Sequence, residues 1–176
     1  MTQSPTTPPP DPVDRLAFLS PSRADATAVW RSPLERALTD APAGVKDISR
    51  TGKIEVRGEI GELSVEGVEA IWISPRRALL LCEYDEVAAV QERVGDDFLA
   101  VDVTAALAGL EVQGETVMRR LTDLDLDELP APGPIAHIQA IVIRDDDETF
   151  RFFFAQEYGH YVAEVVVDAF AGVQGR

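Results

Sequence analysis

The chain has 176 residues, 45% of them hydrophobic, with 31 acidic against 16 basic side chains and a formal charge of −15 at pH 7. That is enough apolar material for a sizeable core in one compact domain or two small, closely packed ones. The charge works against nucleic-acid phosphate and anionic membrane as partners, because both repel the average surface. The single cysteine, Cys82, excludes an intrachain disulfide and a cysteine-rich zinc site, and its neighbours Leu79-Leu80-Leu81 point to a buried thiol in a reducing compartment. No run approaches the roughly 18 apolar residues of a membrane span, and no basic-then-apolar leader opens the sequence, so the expected location is cytoplasmic.

In chain order, residues 1–30 hold Ser4-Pro5, Pro8-Pro9-Pro10, Pro12 and Ser20-Pro21, and are expected to form a flexible tail. Ser32-Pro33-Leu34-Glu35 reads as the start of a brief helix, with Ser32 as N-cap and Pro33 at the first helical position. Between Gly52 and Cys82 the pattern is mostly β. Lys53, Glu55 and Arg57 alternate with Ile54 and Val56, and Val68, Ala70 and Trp72 alternate with Glu69, Ile71 and Ile73. Val87, Val90 and Val94 then stand at helical spacing over 85–94. Strands at 98–104 and 107–112 and a short helix over 115–121 follow. Strands at 135–143 and 150–154, joined by Asp145-Asp146-Asp147, precede a closing helix over 157–170. Residues 123–134 alternate Asp and Leu before Pro130, Pro132 and Pro134, and read as an extended loop.

The order of these pieces repeats. Asp47-Ile48-Ser49 and then Ile54-Glu55-Val56-Arg57-Gly58-Glu59 return as Asp102-Val103-Thr104 and then Leu110-Glu111-Val112-Gln113-Gly114-Glu115. The strand before Glu83-Tyr84 and its helix return before Glu157-Tyr158. The pattern reads as an α+β fold of two packed ferredoxin-like halves, 31–96 and 97–176, with mainly antiparallel sheets and helices, related by a pseudo-twofold duplication inside one domain. Ile54, Val56, Leu110 and Val112 are then expected to point into the core from equivalent central strands, with Glu55 and Glu111 turned away from it.

Chemistry-bearing patterns are sparse. His137, on an expected strand, and His160, on an expected helix, lack any metal-ligand spacing, so no metal site is expected. The Asp145–Glu148 run lacks the alternating ligands and glycine of a calcium loop and reads as a solvated hairpin tip. No phosphate-cradling glycine loop, P-loop or nucleophile elbow is present, and nothing beside Cys82 would activate it. No catalytic residue is therefore assigned. Arg76-Arg77, following Ser74-Pro75, form the one pair singled out as a possible partner or ligand contact, because clustered guanidinium groups at a turn can clamp a carboxylate. Arg119-Arg120 are explained by the C-terminal dipole of a short helix.

Three stretches, taken in order, resemble the gamma subunit of heterotetrameric sarcosine oxidase, itself similar to the folate-binding fold of the glycine-cleavage aminomethyltransferase (T-protein). They run from Asp47 to Gly58, from Val101 to Gly114, and from Thr149 to Val162. The resemblance implies an accessory subunit without chemistry or cofactor of its own. FAD, FMN, NAD and tetrahydrofolate would then be held by partner alpha and beta flavoprotein subunits that oxidise sarcosine or a related N-methyl amine. Against the catalytic T-proteins, Ile138-Gln139 stand where those enzymes carry an Asp pair, and Ala155 stands where they carry an Asn. Neutral side chains there cannot position a folate amine electrostatically, so aminomethyl transfer by this chain alone is not expected. The alternative is a free-standing folate-binding or folate-sensing protein.

Overall fold

Ile54 and Val56, and their counterparts Leu110 and Val112, are fully buried, as the alternation requires. The computed structural model in which they sit describes residues 30–175, so the expected tail lies outside the described residues but for Trp30. From residue 31 onward the chain is one unit. Nine strands are described: β1 (Val45–Asp47), β2 (Gly52–Arg57), β3 (Glu69–Ser74), β4 (Arg77–Cys82), β5 (Leu99–Asp102), β6 (Leu107–Gln113), β7 (Ala131–Ile135), β8 (Ile138–Arg144) and β9 (Thr149–Ala155). Among the described residues the α-helices are α1 (Val87–Val94), α2 (Glu115–Leu121) and α3 (Gly159–Gln174).

The strands form two antiparallel sheets, β3-β4-β2-β5 and β1-β6-β9-β8-β7, so the fold is α+β. Three apolar clusters make four layers of them. Helix α1 covers the outer face of the four-stranded sheet through Val87, Val90 and Val94, packed with Ile54, Val56 and Leu80. Helices α2 and α3 cover the five-stranded sheet through Met118, Val162 and Val166, packed with Leu110, Phe150 and Phe152. The inner faces meet at Ile71, Leu79, Leu81, Ile143 and Phe153.

Each half contributes its first strand to the other half's sheet: β1 pairs with β6, and β5 pairs with β2. The crossing strands end alike. Asp47 Oδ1 accepts from Ser49 N at 2.9 Å, and Asp102 Oδ1 from Thr104 N at 2.8 Å. Each turn then aims a hydroxyl at the opposite half. Ser49 Oγ accepts from Gly109 N (3.1 Å) and donates to Gly109 O (3.4 Å). Thr104 Oγ1 accepts from Lys53 N (2.9 Å) and donates to Lys53 O (3.4 Å). Strand order, register and these contacts all map β2-β3-β4-β5 onto β6-β8-β9-β1, with β7 added outside.

Three expectations are corrected. Residues 33–40 form hydrogen-bonded turns and not a helix, although Ser32 Oγ does accept from Leu34 N at 3.0 Å in the expected capping manner. The single strand expected over 135–143 is a hairpin, β7 and β8, turning through Ala136 and His137 at φ +48° and +69°. His137 therefore sits exposed in a tight turn, and part of the expected proline loop is the outer strand β7, a position that tolerates the missing N–H of Pro132 and Pro134. Finally, the polar face of β2 is turned toward the second sheet and not toward water: Lys53 is fully buried.

Replacing Val56 or Val112 with Asp buries an unpaired carboxylate and is expected to cost about 3–5 kcal/mol in urea unfolding. Ser49→Ala or Thr104→Val takes the partner from the Gly109 or Lys53 N–H and should cost about 1–2 kcal/mol, whereas Thr39→Ala, at an exposed hydroxyl, should be near neutral.

Candidate functional site

Polar groups enter the space between the sheets through β2. Lys53 Nζ donates to Ser49 O and Thr51 O, 2.7 Å each, and lies 5.6 Å from the Phe153 ring centroid. Burial lowers its pKa to about 8, with Asp102 and Asp47 pulling the other way. Two residues on, Glu55 receives Arg57 Nε at 2.5 Å on one oxygen and Arg77 at 2.7 Å on the other. Burial alone would raise its carboxyl, but the hydrogen bonds from Arg77 and Arg57 outweigh it and hold the group below the usual carboxylate range. A carboxylate held ionised by two guanidinium groups is a weak base, which suits it to a structural anion's role and not to general acid–base work.

Beside Glu55 the sheets part and leave a cavity of about 240 Å³. Glu55, Arg77 and Gln139 supply its polar edge, and Leu107, Ile141 and Ala155 are among its apolar walls. The structure thus brings together Gln139, Ala155 and one of the two singled-out arginines, from β8, β9 and β4. It has a counterpart across the pseudo-twofold. Ile48, Thr51 and Glu83 line a second cavity, of about 410 Å³, at the places that Val103, Ala106 and Ala155 hold in the first. The first cavity is thus apolar where its twin is polar. Among the described residues no group of three His, Cys, Asp or Glu could hold a metal.

The remaining sequence candidates lie apart from this cleft. Arg76 is exposed and pairs with Glu59 at 2.8 Å, pointing away from its neighbour Arg77's partner. His160 Nε2 is 3.2 Å from Glu164 on the outside of α3. Cys82 is half-buried and not fully buried; burial and then Glu86 push its thiol pKa up, which disfavours the thiolate. Asp146 at the acidic hairpin tip accepts from Glu148 N and Thr149 N, 2.8 Å each. Arg119 is paired with Glu115 at 2.7 Å within α2. Lys53 was not singled out from the sequence, because alternation marks a non-core face without saying whether water or a second sheet covers it. The signal in the sequence was that Lys53 is, with Lys46, one of two lysines in an otherwise arginine-dominated basic set.

No protein-family model matches the chain, and no curated protein matches it in sequence. Solved structures share its fold. A chain of the heterotetrameric sarcosine oxidase from Corynebacterium sp. U-96, in complex with pyrrole 2-carboxylate, superposes with a TM-score of 0.67 at 17% identity, covering 82% of this chain and 96% of that one. Glycine cleavage system aminomethyltransferase T from Bartonella henselae superposes with a TM-score of 0.53 at 17% identity, covering 88% of this chain and 56% of that one. The fold is therefore that of a sarcosine oxidase chain and of about half an aminomethyltransferase, as the sequence resemblance implies. At this identity the likeness concerns fold.

Glu55→Gln leaves two guanidinium groups facing a neutral amide and is expected to cost about 1–2 kcal/mol, more than an exposed glutamate would. Lys53 gives a pH signature. Its folded-state pKa lies below the unfolded value, so the unfolded chain binds the proton more tightly between about pH 8 and 10.5. Lys53 thus costs stability at neutral pH, and that cost fades as pH rises through the window. Denaturant unfolding should show wild type gaining on Lys53→Met by about 3 kcal/mol between pH 7 and the top of that window. A pH-independent difference would refute the assignment.

Proposed function

We propose that this chain is a non-catalytic, gamma-type subunit of a heteromeric sarcosine oxidase-like flavoenzyme that demethylates sarcosine or a related N-methyl amine and passes the carbon to tetrahydrofolate. The observation that carries this reading is length as well as fold: this chain covers 96% of a chain from a sarcosine oxidase heterotetramer, against 56% of the aminomethyltransferase. Gln139 and Ala155 in the inter-sheet cavity support it from the chemical side, since an amide and a methyl group cannot stabilise the charge that forms during one-carbon transfer. In this reading the two halves are ferredoxin-like units that arose by duplication. The chain holds no cofactor, FAD, FMN, NAD and tetrahydrofolate stay with the alpha and beta subunits, Arg76 and Arg77 are candidate partner contacts, and the complex is cytoplasmic.

Co-expression of the tagged chain with alpha- and beta-type flavoprotein subunits tests the reading. A stoichiometric, yellow, sarcosine-oxidising complex is expected, from which the isolated chain separates colourless and without activity. Titration of the isolated chain with tetrahydrofolate addresses the free-standing folate-binding alternative. No saturable binding is expected, because in this reading tetrahydrofolate is held by a partner subunit. Saturable binding by the isolated chain, with no association with the flavoproteins, would favour the alternative.

A further inference from the structure

The pseudo-twofold exposes one difference between the halves that the fold does not require. On β1, Lys46 stands opposite Glu111 of β6 and pairs with it at 2.6 Å. The equivalent neighbour of Glu55 is Val101 on β5, and Glu55 takes its charge partners from Arg57 and Arg77. Two residues away, Gly44, whose carbonyl accepts from Gln113 N at 2.8 Å, corresponds to Leu99 beside Arg57. Val101 is 45% and Leu99 60% exposed. Strand β5 thus shows water two aliphatic side chains where its twin has an exposed lysine and a buried glycine.

Strand β5 is also an outer strand. Val103 N donates to Lys53 O at 2.9 Å, and this register gives Leu99 and Val101 the ladder to β2. Ala100 and Asp102 then turn their peptide groups to the outer edge, where Gln91 Nε2 reaches Ala100 O at 3.3 Å. Two of the other outer strands are protected, β7 by Pro132 and Pro134 and β1 by its three-residue length; β3 carries the half-exposed Trp72 but packs beside β7, with Glu69 held by Arg151 at 2.9 Å. Natural sheets avoid an open edge with exposed aliphatics unless it is used for pairing.

We propose that β5 is the docking edge for an extended segment of a partner protein, which adds a strand to the four-stranded sheet. Main-chain bonds at Ala100 and Asp102 fix it, the segment displacing Gln91 from Ala100 O, while its alternate apolar side chains lie against Leu99 and Val101 and Lys or Arg at its ends meets Asp96, Asp97 and Asp102. Charge excludes a second copy as the occupant: antiparallel β5–β5 pairing brings Asp102 of each copy toward Asp96-Asp97 of the other, on chains that each carry −15. The inference rests on the subunit reading, in that the segment belongs to one of the flavoprotein subunits.

The test uses the full chain with alpha- and beta-type subunits. Leu99→Glu/Val101→Glu, Val101→Lys, which copies the twin position, and Ala100→Pro, which removes an outward N–H, are compared with wild type. Each is expected to weaken association about thirty-fold or more while the unfolding midpoint stays near that of wild type. The Ala100 and Asp102 amides should gain hydrogen-exchange protection in the wild-type complex. Should Ala100→Pro fail to fold, Val101→Lys and the exchange data decide. Wild-type affinity in the variants, or unprotected amides, overturns the docking edge and leaves the subunit reading standing. Failure of wild type to bind either subunit overturns both. Self-association of the wild type that the variants abolish overturns the choice of partner.

Discussion

Two hydroxyl groups, Ser49 Oγ and Thr104 Oγ1, carry the constraint on which the rest of the molecule depends. Each binds both peptide groups of a residue in the opposite half, Gly109 and Lys53, supplying the partner of its N–H and sharing its carbonyl with the backbone N–H of Ile48 or Val103. Each is aimed by an Asp two residues earlier, which is why the Asp-x-Ser and Asp-x-Thr strings recur. Because the crossing strands have only three and four residues, neither would hold a sheet edge alone. The turns that follow them lock their register. The halves are consequently one cooperative body, and a change at either hydroxyl is felt in both sheets.

Around that symmetric frame the interior is not symmetric. Lys53 has Gly109 as its counterpart, and a side-chain carbon at Gly109 would come within 2.7 Å of the Phe153 ring. The missing side chain admits the phenylalanine, and the phenylalanine in turn underlies the Lys53 ammonium. A ring and a carbonyl-bound amine thus occupy the space beside Gly109 and Lys53. What space there is lies to either side, in twin cavities whose linings have diverged.

Much of this fold was legible in the sequence because the strands β2, β6 and β9 and the helices α1 and α3 carry strict periodicity, and periodicity reports burial on one face. Strand β7 was not legible. Its prolines argue against a strand in general and only permit one at a sheet's outer edge, a fact about neighbours that lie elsewhere in the sequence. The turn at Ala136-His137 was hidden for a related reason. Two positive φ angles without glycine or asparagine are held by outside contacts, Ala136 N donating to Leu121 O and Tyr161 Oη donating to Ala136 O. Of the cleft, Gln139, Ala155 and Arg77 were each noted in the sequence, but their convergence with Glu55 follows from the packing of two sheets. Lys53 was misplaced for the same reason, because a sandwich gives a strand two buried faces.

The arginines explain why so acidic a chain can keep a polar cleft closed. Arg77 and Arg57 neutralise Glu55, Arg151 ties Glu69 to Asp145 across the sheets, and Arg144 joins Glu115 to Asp127. These pairs remove equal numbers of positive and negative charges, so the rest of the surface keeps the acidic excess of the chain. Stability and cavity chemistry are also separable in this architecture. The frame rests on Ser49, Thr104 and the four core residues of β2 and β6, none of which is Gln139 or Ala155. A substitution at Gln139 or Ala155 can therefore change the chemistry of the cavity without loosening the body.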